Sequence, residues 1–396
     1  MTLDQFTTDR ITDRSTKFPD PIKKTKLKNF QTMAVTKTLT TTQQKTVRVA
    51  AERNLLGHLL IAAQGVDISF HKLFAFPLSP VPWSLGTPDG CFVKTEKAQL
   101  MHVLESHADA CNLSLKDMPF NSTVVLDGNT LLQAMVKLPD TFGQLAMSIL
   151  KYLPKVQNVH FVTDSYFQGS IKDVERLRRG TSKAHLIGGP LTKVPRNYAA
   201  FMHNSQNKKQ LIRFLLEQWQ TQSYVSEMSN RNVNYVCEDK CFKLEVVDGI
   251  MMRHEVDELN SSHEEADTRM ILHCFFASRS SPLESSVIVR SPDTDVLVYM
   301  LVYYSSEVRQ TLLLDTGVLN ERRLINVQRI ASSLGDGVVR ALLGFHASIG
   351  CDCNSAFVRK GKKNPFKLLV NNPDFQETFK LFGQQAEYVS PCQCWG

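Results

Sequence analysis

From residue 121 onward the chain alternates two hydrophobic patterns. Short β-branched runs end in acid: Thr123-Val124-Val125-Leu126 at Asp127, and Val159-His160-Phe161-Val162 shortly before Asp164. A third, Val287-Ile288-Val289, runs into Ser291-Pro292-Asp293-Thr294-Asp295. Helical spacing follows, with Leu131, Leu132 and Met135 after the first run and Leu297 and Met300 after the last. Strand, acid, helix, repeated three times, predicts an α/β fold with a parallel sheet flanked by helices. Ligands of such sheets sit beyond the carboxyl ends of the strands. Each of these aspartates is expected at that edge.

Upstream the pattern differs. Val47, Ala50, Leu55, Leu59 and Leu60 predict a helix over Gln43 to Ala63, and a second is expected from Thr95 to Cys111. Pro77, Pro80, Pro82 and Pro88 mark an irregular connection between them. The expected organisation is a flexible polar leader (1–46), a mainly helical N-terminal extension (47–120), a core (121–370) and a tail (371–396). Inside the core, 180–261 reads as an insertion with a helix over Asn207 to Gln220 and a β-hairpin near Val233 to Val247.

Composition narrows this a little. Hydrophobic residues make 42% and charged residues 21%, a globular balance. The formal charge of +7 permits a polyanionic partner without requiring one. Lys23, Lys24, Lys26 and Lys28 read as a solvated tail or, more sharply, as a nuclear-entry signal. The residues after Met1 carry no apolar signal region, and the apolar run Leu55 to Ala63 is well short of the roughly 18 residues a membrane span needs. The expectation is an intracellular protein, nuclear or cytoplasmic, not secreted and without a membrane partner. Nine cysteines, an odd number, give no disulfide framework. Cys237 and Cys241 with His254 and His263 have a zinc reading, but with no second pair the preferred reading is free thiols.

Two more acidic elements join the strand ends. Ser262-His263-Glu264-Glu265-Ala266-Asp267 opens a helix carrying Met270, Ile271, Cys274 and Phe275. Ser262 and Glu265 fit a capping box, which explains Glu265, with Glu264 the substitute if the register slips. Capping leaves Asp267, on the apolar side, unexplained. Gly350-Cys351-Asp352 follows an apolar helical stretch; alone, that aspartate is a turn residue. Carboxylates gathered this way repel one another unless cations bind among them. Phosphodiester hydrolysis uses such a cluster: two hard divalent ions about 4 Å apart activate water and stabilise the leaving oxygen.

In this order the motifs resemble the XPG/flap-endonuclease branch of the PIN-like nucleases over residues 121–370. The chain looks closest to a group of uncharacterised, transposon-derived PIN-like proteins of animal genomes. The resemblance implies that Asp127, Asp164, Glu265 and Asp267 hold one ion, and that Asp293, Asp295 and Asp352 hold or share a second, both Mg²⁺ or Mn²⁺. Lys172 and Arg178 match the family's phosphate-contacting pair, with Arg179 beside them. Residues 353–370 are similar to the hairpin-helix motif that grips DNA backbone, where Lys360, Gly361, Lys362 and Lys363 would contact phosphates. Several features depart from the family, among them the following. Arg359 stands where that hairpin usually has its first glycine, the helices that usually follow it are expected to be missing, and the insertion matches poorly. The expected function is a metal-dependent nuclease mainly on DNA, single-stranded or flap, with RNA left open and with no small-molecule cofactor. The alternatives are an inactive nucleic-acid-binding relic and a Mg²⁺-dependent small-molecule phosphatase.

Overall fold

Thr123 to Asp127, four buried residues running into an acid, form the strand around which the sheet is built. The computed structural model describes residues 3–17, 37–40, 46–49, 60–61, 64–65, 69, 71, 85–86, 92–107, 121–167, 182–317, 321–352, 354–358 and 360–382. The chain divides into two units, residues 1–94 with 352–359, and residues 95–351 with 360–396.

In the first unit, α1 (Leu3–Thr7) runs into a π-helical turn, Thr8–Thr12. Strands β1 (Lys37–Thr40) and β2 (Thr46–Val49) pair antiparallel, Lys37 opposite Val49 and Thr40 opposite Thr46. The helix expected over Gln43 to Ala63 is thus overturned at Thr46–Val49. Thr46, Val47 and Val49 are β-branched, a residue type that favours strands. Leu60 and Ile61 are helical, and the rest of that stretch lies outside the described residues. Val93 N–H donates to Ser355 Oγ at 2.8 Å and Ala356 N–H to the Val93 carbonyl at 2.9 Å, which ties 354–358 into this unit.

The second unit opens with α2 (Ala98–Glu105), shorter than the helix expected over Thr95 to Cys111. There follow β3 (Thr123–Asp127), α3 (Gly128–Gln133), α4 (Phe142–Tyr152), β4 (Asn158–Val162), α5 (Tyr198–Met202), α6 (Ser205–Trp219) and α7 (Val225–Met228). Next are β5 (Asn232–Cys237), β6 (Lys240–Val247), β7 (Ile250–Glu255), α8 (Ala266–Ser280), β8 (Ser286–Arg290), α9 (Thr294–Glu307), β9 (Thr311–Thr316) and β10 (Arg323–Asn326). Helices α10 (Val327–Leu334), α11 (Asp336–Ser348), α12 (Lys363–Asn371) and α13 (Pro373–Leu381) complete it.

The fold is α/β. Eight strands form one mixed sheet in the order β10-β9-β8-β3-β4-β5-β6-β7. The five from β9 to β5 are parallel, and antiparallel strands close both edges. The three runs read from sequence are β3, β4 and β8, its centre. Asp127 pairs with Val162 and Leu126 with Arg290, so the carboxyl ends of these strands are level.

Side-chain alternation divides the core between the two faces. Val125, Val162, Val287 and Val289 pack on one side with Met270 and Cys274 of α8 and Leu297 and Leu301 of α9. Val124, Leu126, Phe161 and Ile288 pack on the other with Leu145 of α4 and Leu215 and Trp219 of α6. Phe161 stacks on Tyr235, centroids 5.1 Å apart, and meets the Trp219 edge at 5.6 Å.

The region read as an insertion extends this sheet. Strand β5 continues it in parallel from β4, and the hairpin of β5 and β6 forms where the alternation placed it. A helix also follows α12: Asn372 Oδ1 caps α13 by accepting from Asp374 N–H and Phe375 N–H, and Phe379 packs on Phe345 of α11 at 5.7 Å. The helices usual after the hairpin were expected to be missing; one helix, α13, does follow α12. Among the described residues no helix is long and apolar enough to cross a membrane.

Candidate metal centre

Three aspartates at the level strand ends each bind a helix N-terminus. Asp127 closes β3 and caps α3, its Oδ1 accepting from Thr130 N–H at 3.0 Å and its Oδ2 from the Thr130 hydroxyl. Asp293 caps α9 by accepting from Asp295 N–H at 2.9 Å, and its own N–H donates to Ser291 Oγ at 3.1 Å. Asp164 reaches across the chain: its Oδ1 accepts from Ala266 N–H, the first residue of α8, at 2.9 Å. The Ser262–Glu265 capping box read from sequence is therefore replaced. Glu265 is the N-cap residue but its side chain makes no cap bond, and Asp164 supplies the missing acceptor. Free backbone N–H groups and the positive ends of the helix dipoles favour negative charge here.

Capping accounts for those three carboxylates but not for Asp267, in the first turn of α8. No hydrogen-bond donor approaches its carboxylate among the described residues. Burial, followed by the negative charges of Asp293, Asp127, Asp164 and Glu265, pushes its carboxyl up to about 8. Burial likewise raises Asp127, against the hydrogen bonds from Thr130. Five acids, from β3, the residues just after β4, and the N-terminal ends of α8 and α9, thus share one field, and four of them press on Asp267. That donor set is all carboxylate oxygen, which a hard divalent ion prefers. It fits such an ion.

Asp295 differs. His346 Nε2 binds its Oδ1 at 2.8 Å and Lys97 Nζ its Oδ2 at 2.8 Å. Burial alone would raise this carboxyl, but the hydrogen bonds and charges of His346 and Lys97 hold it at about 2. Asp293 and Asp295 each present a carboxylate oxygen within 4.8 Å of the other, so this acidic cluster could hold a metal ion. Asp352 is exposed and opens the 352–359 segment of the first unit.

The basic residues fare differently from their reading. Lys172, Arg178 and Arg179 lie outside the described residues, as does Arg359. Lys360, Gly361 and Lys363 are exposed. Lys362 is not a surface cation. It is fully buried, and its ammonium donates to the Gly350 carbonyl at 2.6 Å. Gly350, at φ 99°, turns the chain out of α11, and Lys362 satisfies the carbonyl left behind. Burial lowers this ammonium to about 8. It cannot meet a phosphate from that position.

The zinc reading fails on register. Cys237 pairs with Lys240 and Cys241 with Val236, so the two thiols face opposite sides of the sheet. Burial also pushes them up, to about 11 and about 12, away from the thiolate that zinc requires.

Sequence reading missed Lys97 and His346. Lys97 stands in an ordinary polar stretch and gave no signal. His346 did: it sits at helical spacing from Val339 and Leu342 on the buried face of α11, where an unpartnered imidazole is unusual. A buried pair, His160 of β4 and His273 of α8, was also missed. Comparisons with protein-family models and with curated proteins find no match to this chain.

Proposed function

We propose that this chain is a metal-dependent nuclease of the PIN/flap-endonuclease kind, hydrolysing phosphodiester bonds of single-stranded or branched DNA. The observation that carries this reading is Asp267. It is a largely buried carboxylate that no donor among the described residues approaches, pressed by four other acids at the carboxyl edge of a parallel sheet. Leaving such a group uncompensated is costly unless a cation is part of the working state. Asp127, Asp164, Asp267 and Asp293, with Glu265, would hold Mg²⁺ or Mn²⁺. The bound metal would supply a water activated at neutral pH and a positive charge for the leaving oxygen. The caps on α3, α8 and α9 hold three of the carboxylates in place before any ion arrives. Order and spacing of these acids along the chain support the family reading. The fold agrees with it at the level of an α/β sheet with acids at its carboxyl edge.

A second reading, an inactive nucleic-acid-binding relic, draws on the same caps, because they give Asp127, Asp164 and Asp293 a structural use without turnover. The deciding experiment is cleavage of labelled single-stranded, duplex and flap DNA with Mn²⁺ or Mg²⁺, with RNA and chelator controls. We expect metal-dependent cutting that Asp267→Asn lowers at least about a hundredfold, the scale of losing an electrostatic group that acts on the transition state. Well-folded protein that binds DNA but cuts none of these substrates would establish the relic instead.

A further inference from the structure

We infer that Lys97 and a divalent ion compete for Asp295, so that ion binding releases the Lys97 ammonium to hold a phosphate of the substrate. This rests on the metal-dependent reading above and adds to it a positioning residue that the family motifs do not include.

The geometry sets up a competition. The two oxygens of Asp295 are shared out, Oδ1 to His346 and Oδ2 to Lys97. An ammonium and a divalent cation on one oxygen repel strongly at contact distance, so an ion joining Asp293 and Asp295 displaces one partner. His346 stays. The residue is 7% exposed, on the buried face of the last turn of α11, where it orients the carboxylate as outer partners of ligating groups do. Lys97 leaves more easily. It precedes α2, its side chain is 19% exposed, and its unbranched stem lets the ammonium swing towards water.

Its new position would suit a phosphate. Lys97 is anchored beside the acids that would hold the ion, so the released charge remains near the reacting group. Lys362, the basic residue expected to do such work, is committed to the Gly350 carbonyl. The competition also has a purpose in electrostatic terms. Without metal, the lysine keeps Asp295 compensated; with metal, that compensation transfers to the ion and the ammonium turns to an anion.

Lys97→Met in the full chain tests this through two readouts that a purely structural lysine would not move in opposite directions. Mn²⁺ affinity is measured by titration followed by electron paramagnetic resonance. Binding of a nuclease-resistant phosphorothioate oligonucleotide is measured in the presence of Ca²⁺. The expected result is Mn²⁺ bound about tenfold more tightly and the oligonucleotide several-fold more weakly, while Lys97→Arg stays near the parent on both. Unchanged or weaker Mn²⁺ binding by folded Lys97→Met, with the parent binding normally, overturns the competition and leaves the nuclease reading standing. If the Met variant does not fold, Lys97→Gln takes its place under the same criteria. If neither parent nor variant binds Mn²⁺, the metal reading falls and this inference with it.

Discussion

A Cβ on Gly128 would stand 2.4 Å from the Phe161 ring, closer than any real side-chain contact. The residue after Asp127 must therefore be glycine for α3 to begin directly against β4. Phe161 cannot retreat, because it is fully buried between Tyr235 and Trp219. Gly128→Ala is expected to destabilise the second unit by about 1–3 kcal/mol, the usual penalty for overpacking. Urea denaturation measures it; a change within about 0.5 kcal/mol, typical of an unconstrained surface site, would contradict the packing argument. At the same scale, sequence reading found Asp127 and Asp267 because type and spacing mark an acid at a strand end or on an apolar face. It placed Lys362 wrongly because a lysine in a basic run looks the same whether its ammonium reaches solvent or a buried carbonyl.

At the scale of elements, the N-terminus of α8 depends on a residue about a hundred positions earlier. Asp164, just past β4, supplies the acceptor that local capping leaves out, so the position of the helix and the placement of the acid cluster are coupled through one carboxylate. Asp164→Ala should cost about 1 kcal/mol even in chelated protein, the scale of a lost N-cap. Asp164→Asn, which keeps an acceptor oxygen, should cost less in stability while still losing metal affinity. Denaturation of both variants with and without chelator checks this, and equal losses would show that Asp164 has no capping role. The local signal, Ser262 with Glu265, pointed to a plausible cap, but long-range geometry overrode it. The β5–β6 hairpin and α6 were legible because their hydrophobic periods are strong and local. The strand at Thr46–Val49 was missed because Val47 also stands three residues before Ala50, a helical spacing.

For the whole molecule, the buried pair His160 and His273 gives a pH signature. Their Nδ1 atoms lie 2.8 Å apart, which requires one ring to donate and the other to accept, and Asn234 lies 3.1 Å from Nε2 of His160. Burial lowers His160 to about 3; burial, then His160 and Arg269, lowers His273 well below the usual imidazole value. The unfolded chain takes up protons near pH 6.5 while the folded one does not, so this stability is fully present above pH 6.5 and is lost as pH falls towards 3. Each imidazole contributes at most about 1.4 kcal/mol per pH unit in that window. Asp267 acts in the opposite sense in metal-free protein, because its raised carboxyl makes stability fall as pH rises towards about 8. The comparison is therefore between parent and His160→Gln/His273→Gln. Between pH 6.5 and 4.5 the parent's urea midpoint should fall more steeply; parallel profiles would rule out the pair as its source.

The sequence by itself determined the parallel centre of the sheet, the acids at its carboxyl edge and the elements with strong periodicity, since these follow from residue type at fixed spacing. Tertiary structure alone decided which acids share a field, which carboxylate is already neutralised, and which lysine is buried. Those outcomes depend on distances between residues far apart in the chain: Asp164 with Ala266, Lys97 and His346 with Asp295, His160 with His273. Electrostatic and hydrogen-bond energies are set by separation in space, and no local pattern encodes that separation.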